Sequence, residues 1–198
     1  MRQLFTTIMA FLCLLTPSAL QAQNNDSNSN SMKSIVIYFS RPGNNYVSGD
    51  IVNLKVGNTK VVADKIVAAT GCDSFEIVPV KAYSADYTRC TEEAKAELNA
   101  NARPAYKGDI DLSEYDTIYL GYPIWWGTFP MCVFTFIEAH DGFEGKTILP
   151  YSTHEGSGLG QSISDLKKLC PKATIGSGIA INGSTAAKAD VTKIVNQK

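Results

Sequence analysis

The sequence has few cysteines, tryptophans and histidines and no excess of positive charge. Its 198 residues include five cysteines, two tryptophans and two histidines, and 18 Lys and Arg stand against 19 Asp and Glu. So few cysteines exclude a disulfide-dense mini-protein, and no His/Cys cluster has the spacing of a zinc site. The formal charge of −1 offers no basic surplus for phosphate contacts, which argues against a nucleic-acid partner. Because 44% of the residues are hydrophobic, the length and composition indicate one globular domain.

The N-terminus has an apolar run over 4–15, but this run is too short to span a bilayer. Ala22 offers a small residue at a plausible cleavage point, a layout typical of a secretory signal peptide. We therefore predict a signal peptide over 1–22, an Asn/Ser-rich linker over 23–32 and a domain over 33–198. The mature chain is expected to be exported to the periplasm without an integral membrane segment, and a retained membrane anchor is the alternative.

From residue 33 onward, strand-like apolar runs alternate with helix-like stretches. The first run, 35–39, is continuously apolar, which is typical of a strand covered on both faces. We predict strands at 35–39, 75–78, 117–120, 147–151 and 173–181, and helices at 59–70, 88–102, 131–139, 161–169 and 184–196. The Ala- and Glu-rich helix at 88–102 is expected to be solvated. Strands separated by helices predict a doubly wound α/β domain, with a five-stranded parallel sheet and helices on both faces.

Four cysteines remain in the predicted mature chain: Cys72, Cys90, Cys132 and Cys170. Export permits disulfides, and four cysteines allow three complete pairings. Buried free thiols are the alternative, since cysteine is often found inside proteins. The sequence does not choose between them.

In an open parallel sheet, ligands bind outside the carboxyl ends of the strands. The loop after the first strand combines Ser40 and Asn44 around Gly43 and leads to a helix start at Asn58 and Thr59. These residues suit a phosphate, because backbone N–H groups and the positive helix end attract an anion. The alternative is an ordinary turn in which Asn58 or Thr59 caps the helix.

The loop after the third strand places Trp125 next to Trp126 between two prolines. Large rings at a ligand-binding edge are expected to cover something flat, with one indole facing the ligand and the other packing on the protein. The alternative is that both rings cap the sheet.

The loop after the fourth strand contains three glycines, which permit a close approach of the backbone to a ligand. His154 and Glu155 of this loop could form an acid–base pair. The alternative is that both are exposed loop side chains.

With these loops, the sequence resembles the flavodoxin family, and most closely the branch with Tyr-Pro-Ile-Trp-Trp-Gly and Thr-His-Glu-Gly-Ser-Gly-Leu-Gly motifs. The resemblance covers nearly all of 33–198 and implies the strand order 2-1-3-4-5 and a non-covalent FMN. It also implies that the first loop with Thr59 binds the phosphate, that 123–128 flank the flavin ring and that 153–160 close its other side. The implied cofactor-binding residues are Ser40, Arg41, Pro42, Gly43, Asn44, Asn58, Thr59, Pro123, Ile124, Trp125, Trp126, Gly127, Thr128, Thr153, His154, Glu155, Gly156, Ser157, Gly158 and Gly160.

The resemblance further implies a flavoprotein that transfers electrons, as a shuttle or as a small FMN-dependent oxidoreductase. Its donor and acceptor, a protein or a quinone or nicotinamide, are not identified by the sequence. The chemistry would occur on the flavin, with His154 as the one candidate catalytic side chain and no metal. The alternative from another class is a binding module with the same fold and no redox turnover. The chain departs from a compact flavodoxin by an insertion at 45–57, which is predicted to form a small hairpin over the cofactor.

Overall fold

The computed structural model describes residues 33–197, so the predicted signal peptide and linker lie outside the described residues. The strands are β1 (Lys33–Tyr38), β2 (Gly43–Val47), β3 (Asp50–Leu54), β4 (Asp73–Glu76), β5 (Val78–Pro79), β6 (Tyr106–Lys107), β7 (Tyr115–Pro123), β8 (Thr147–His154), β9 (Thr174–Ile175) and β10 (Ile179–Asn182). The helices are α1 (Asn58–Thr70), α2 (Tyr87–Asn99), α3 (Met131–Ala139), α4 (Ser162–Leu169) and α5 (Thr192–Val195), with 3-10 turns at Asp141–Phe143 and Gly183–Lys188. None of the helices among residues 33–197 combines the length and the hydropathy of a membrane span.

The central sheet has the strand order β4-β1-β7-β8-β10, and all of these strands are parallel. In chain order this is 2-1-3-4-5, so the expected topology is confirmed. The fifth strand, predicted over 173–181, is divided into β9 and β10, which both pair with β8. The break falls where Gly178 adopts a left-handed φ of 80°, which interrupts an extended ladder.

Alternate side chains of the sheet enter two separate cores. On β1, Ile35 and Ile37 pack with the residues of α3, whereas Val36 and Tyr38 pack with those of α1. All four side chains are buried. A strand apolar on both faces is therefore covered on both faces, as the continuous apolar run predicts.

The first helix begins at Asn58, and its N-cap residue is Gly57, which has no side chain to cap it. The capping alternative for Asn58 and Thr59 is therefore wrong. The second helix begins where Asp86 accepts a hydrogen bond from the N–H of Arg89, and it ends three residues before the predicted position.

The closing helix predicted over 184–196 is wrong. The chain there forms a 3-10 turn and then the single-turn α5. Asn182 accepts a hydrogen bond from the N–H of Ser184, and Asp190 accepts one from the N–H of Thr192. These local side-chain bonds compete with a continuous helix and divide the segment.

The four cysteines in the described part of the chain are free thiols. Cys90, Cys132 and Cys170 are buried, and Cys72 is partly exposed. The free-thiol alternative holds for this structure, and the disulfide pairings do not.

Candidate functional site

A cavity of about 410 Å³ lies at the carboxyl ends of β1, β7 and β8, the edge at which the sequence predicts a ligand site. Predicted site residues that line it are Ser40, Arg41, Asn58, Thr59, Pro123, Ile124, Trp125, Trp126, Thr153, His154, Glu155 and Ser157. Predicted site residues outside its lining are Pro42, Gly43, Asn44, Gly127, Thr128, Gly156, Gly158 and Gly160. The three loops predicted from the sequence thus meet around one space.

The start of α1 presents hydrogen-bond donors to this cavity. The Ser40 hydroxyl oxygen accepts a hydrogen bond from the N–H of Lys60 at 3.1 Å. The preceding N–H groups of Asn58 and Thr59, at the open start of the helix, have no partner within residues 33–197. The Thr59 hydroxyl lies 2.7 Å from that of Thr153, and one of the two donates to the other. Because each hydroxyl has one proton, this pair keeps a second O–H for another acceptor. The arrangement suits an anion at the helix start.

Close packing holds the first loop in place. A β-carbon on Gly57 would collide with the Ser40 hydroxyl and the Arg41 carbonyl, so only glycine permits this approach. The buried Arg41 guanidinium donates to the carbonyls of Asn44 at 2.6 Å and Ser84 at 2.5 Å. Arg41 reaches the cavity wall, but these donors bind the main chain and stabilise the loop.

The predicted hairpin is present and reaches across the cavity. Strands β2 and β3 pair in antiparallel register, and the connecting Ser48 and Gly49 have left-handed φ angles of 51° and 104°. At the base of the hairpin, the N–H of Asn44 donates to the carbonyl of Ala85 at 3.2 Å. At its tip, the N–H of Ser48 donates to Glu155 Oε2 at 3.0 Å. The hairpin therefore connects the first loop to the third.

The tryptophan loop is a tight turn with an unusual residue at its tip. Main-chain hydrogen bonds of 2.7 and 3.2 Å join Trp125 and Thr128, and Trp126 and Gly127 between them have φ angles of 53° and 89°. Left-handed backbone in a tryptophan is strained, which is a feature of functional sites. Trp126 is 50% exposed, and its indole N–H donates to the carbonyl of Thr91 at 2.8 Å.

The two indoles have different surroundings. Trp125 makes edge contacts with Phe39 and Tyr83, with ring centroids 5.3 and 5.0 Å apart. Lys95 Nζ lies 4.5 Å from the Trp126 ring centroid, in a cation–π contact. One indole thus packs on the protein, and the other stands at the rim of the cavity.

The third loop packs against the tryptophan turn. A β-carbon on Gly160 would collide with the carbonyl of Gly127, and the N–H of Gln161 donates to the same oxygen at 2.6 Å. His154 Nδ1 accepts a hydrogen bond from the N–H of Gly156 at 2.9 Å. Because Glu155 binds Ser48 instead, no hydrogen bond joins His154 to Glu155, and the structure does not form the acid–base pair.

Glu155 carries an unsatisfied oxygen. Its Oε1 is buried and has no hydrogen-bond partner among residues 33–197. A β-carbon on Gly183 would collide with this oxygen and with Asn58 Nδ2, so both side chains lie against that glycine. A buried carboxylate oxygen without a donor costs free energy, which points to a ligand as its partner.

Helix α2 contributes a wall of the cavity that was not predicted from the sequence. Tyr87, Cys90, Thr91 and Ala94 line the cavity, so the expectation of a solvated helix is wrong for this face. Burial raises the pKa of the Cys90 thiol to about 11, which keeps it protonated at neutral pH. The spacing of small residues four apart in this helix was an available signal. Further lining residues that were missed are Asn45, Tyr46 and Gly183.

Comparisons with known proteins agree with this fold. The family model described as Flavodoxin matches residues 33–198. A candidate flavoprotein from Bacteroides eggerthii is 32% identical, with a TM-score of 0.63 over 82% of this chain and 98% of that chain. A candidate flavoprotein from Bacteroides uniformis is 31% identical, with a TM-score of 0.62 over 79% and 96%.

A flavoprotein from Lactobacillus acidophilus, solved in complex with FMN, is 20% identical and has a TM-score of 0.57 over 80% of this chain and 98% of that chain. At this identity the likeness concerns the fold alone. No curated protein matches the sequence. The family model and the Bacteroides relatives nevertheless span the described domain, and the chain belongs to the flavodoxin family.

Proposed function

We propose that this chain binds FMN in the cavity and transfers electrons through it outside the cytoplasm. FMN is the cofactor that the flavodoxin family implies, and the Lactobacillus acidophilus flavoprotein was solved with it. The observation that carries the proposal is one cavity lined both by anion-binding donors at the start of α1 and by an indole at its rim. FMN has a phosphate at one end and a flat ring at the other, which matches that distribution.

The residues of the cavity fit FMN by their chemistry. Ser40, Thr59 and the first N–H groups of α1 would hold the phosphate, because they combine hydroxyls with a positive helix end. Trp126 would face the ring, since its indole is fixed by the Thr91 carbonyl and half exposed. The unsatisfied Glu155 oxygen would accept a hydrogen bond from the ligand.

Bound FMN supplies the redox chemistry of such a protein. The chain itself orients the ligand, and the hairpin and the tryptophan turn would limit the access of water. A neighbouring π-face disfavours an electron-rich reduced ring, so Trp126 would also influence the reduction potential.

Export and partners belong to the same proposal. The apolar run over 4–15 and the small Ala22 support removal of 1–22 and release into the periplasm. The partner would be a protein or a quinone or nicotinamide, and the near-neutral charge favours no strongly charged protein partner.

A redox titration of the FMN-loaded chain tests the electron-transfer role. Two resolved one-electron steps would support a shuttle. A single two-electron step, together with oxidation of a reduced nicotinamide, would support a small oxidoreductase. A chain that holds FMN but exchanges electrons with no donor would contradict both roles and support a binding module.

A further inference from the structure

Trp126 receives two contacts from one face of α2. The Thr91 carbonyl accepts its indole N–H at 2.8 Å, and Lys95 Nζ lies 4.5 Å from the centroid of its ring. Thr91 and Lys95 are four residues apart, so they lie one turn apart on the same face of the helix. One turn of α2 thus holds the indole by its N–H, and the next turn places a positive charge over the ring.

The charge of Lys95 is not cancelled by a neighbouring carboxylate. Its ammonium forms no ion pair with any of residues 33–197. Other exposed lysines of the same range do form ion pairs, such as Lys60 with Asp64. An unpaired ammonium exerts a stronger field on its surroundings than one whose charge is balanced.

This ammonium covers one face of the indole and leaves the other face for a ligand. Trp126 lines the cavity together with Thr91 and Ala94, whereas Lys95 is not part of the lining. The ammonium therefore lies on the side of the ring away from the cavity. A ligand that stacks on Trp126 from the cavity is separated from the charge by the indole alone.

We infer that Lys95 raises the reduction potential of a flavin bound against Trp126, because it stabilises the negative charge that reduction adds to the flavin ring. This inference rests on the proposed FMN binding. Uptake of two electrons and one proton leaves the neutral oxidised ring with one negative charge, which a nearby cation attracts. The cation also draws electron density toward itself in the indole, so Lys95 opposes the unfavourable effect of the π-face on the reduced ring. Lys95 does not touch the flavin and acts through its field and through Trp126.

Titrations of the full chain with oxidised and with reduced FMN, carried out without oxygen, test this role. Lys95→Met removes the charge and keeps an unbranched side chain. Relative to its affinity for oxidised FMN, this variant is expected to bind reduced FMN about 2- to 5-fold more weakly than the wild type does, which is the scale of one exposed charge pair. The reduction potential, measured by redox titration, should fall accordingly. Lys95→Arg keeps the charge and should retain the wild-type ratio of the two affinities.

Lys167→Met is the matched control, because it changes the net charge by the same amount. Lys167 is exposed and lies in the last turn of α4, which begins beyond the carboxyl end of β8 and runs back to the opposite edge of the sheet. Its replacement should leave the ratio of affinities unchanged. The effect of Lys95→Met should also be smaller at roughly 1 M than at roughly 0.05 M salt, since salt screens exposed charges.

Four results would contradict this reasoning at different points. Equal losses of affinity for oxidised and reduced FMN in Lys95→Met would show that Lys95 only holds Trp126 in place, and would overturn the inference. An equal change of the ratio in Lys167→Met would assign the effect to net charge and overturn it as well. The same change in Lys95→Arg as in Lys95→Met would show that the charge is not responsible. A wild-type chain that binds neither form of FMN would instead refute the proposed function itself.

Discussion

Two substitutions of Trp126 test whether the backbone of this residue is strained. Trp126 has a left-handed φ of 53°, which costs an L-residue about 1–2 kcal/mol. Trp126→Ala keeps that backbone strain, whereas Trp126→Gly removes it. Both variants lose the same ring contacts with Thr91 and Lys95. The flavin-free Gly variant is therefore expected to be more stable than the Ala variant by about 1 kcal/mol, the opposite of the usual order in regular structure.

The expected effect on FMN binding is the same for both variants. Aromatic stacking contributes about 0.5–1.5 kcal/mol beyond the buried area. Loss of the stacking alone should therefore lower the FMN affinity of each variant by about 2- to 13-fold. The flavin potential should rise, since an electron-rich neighbour that disfavours the reduced ring is gone. Trp125→Ala is the matched control. It removes edge contacts with Phe39 and Tyr83. Truncation of a buried aromatic lowers the free energy of unfolding by about 3–5 kcal/mol, and we expect a loss near the lower value because Trp125 is only partly buried.

Urea denaturation of the flavin-free variants and FMN fluorescence titrations measure both effects. A Gly variant less stable than the Ala variant would refute the strain argument. Wild-type FMN affinity in Trp126→Ala would show that this indole does not cover the flavin. If Trp125→Ala lost FMN affinity without losing stability, Trp125 and not Trp126 would be the indole that covers the flavin.

Three further predictions concern the phosphate, the thiols and export. Thr59→Val should weaken FMN binding more than riboflavin binding, by the roughly 1.5–3 kcal/mol of a charge-assisted hydrogen bond, and equal losses in calorimetric titrations would place Thr59 away from the phosphate. Native alkylation near pH 8, mapped by mass spectrometry, should label Cys72 and spare the three buried thiols, because burial raises the pKa of each to about 11 or 12, and labelling of a buried thiol at a similar rate would contradict this. N-terminal sequencing of periplasmic protein should begin near Gln23, and a full-length cytoplasmic form would count against export.

The fold was predictable because its strands carry local signals. Residues 35–39 are apolar without interruption, and a strand covered on both faces is the simplest explanation. The hairpin was predictable as well, since Tyr46 and Ile51 flank a Ser-Gly-Asp turn. The closing helix was not, because Asp190 uses its side chain to bind the backbone and ends a segment whose composition favours a helix.

The site was predictable at the level of loops but not of contacts. The sequence identified the three loops because ligand sites lie at the carboxyl ends of parallel strands. It could not identify the α2 wall around Cys90, since the angle at which a helix packs is decided by tertiary structure. It also gave no sign that Glu155 meets Ser48, because that bond joins two loops 107 residues apart.

Titration of the flavin-free full chain with FMN, followed by absorbance and flavin fluorescence, tests the central claim most directly. The account predicts one FMN per chain and quenched fluorescence, because an indole lies at the rim of the cavity. It also predicts that Gly183→Ala, which would place a methyl group against Asn58 and Glu155, weakens this binding. A chain that stays colourless after FMN addition and gel filtration would contradict the account.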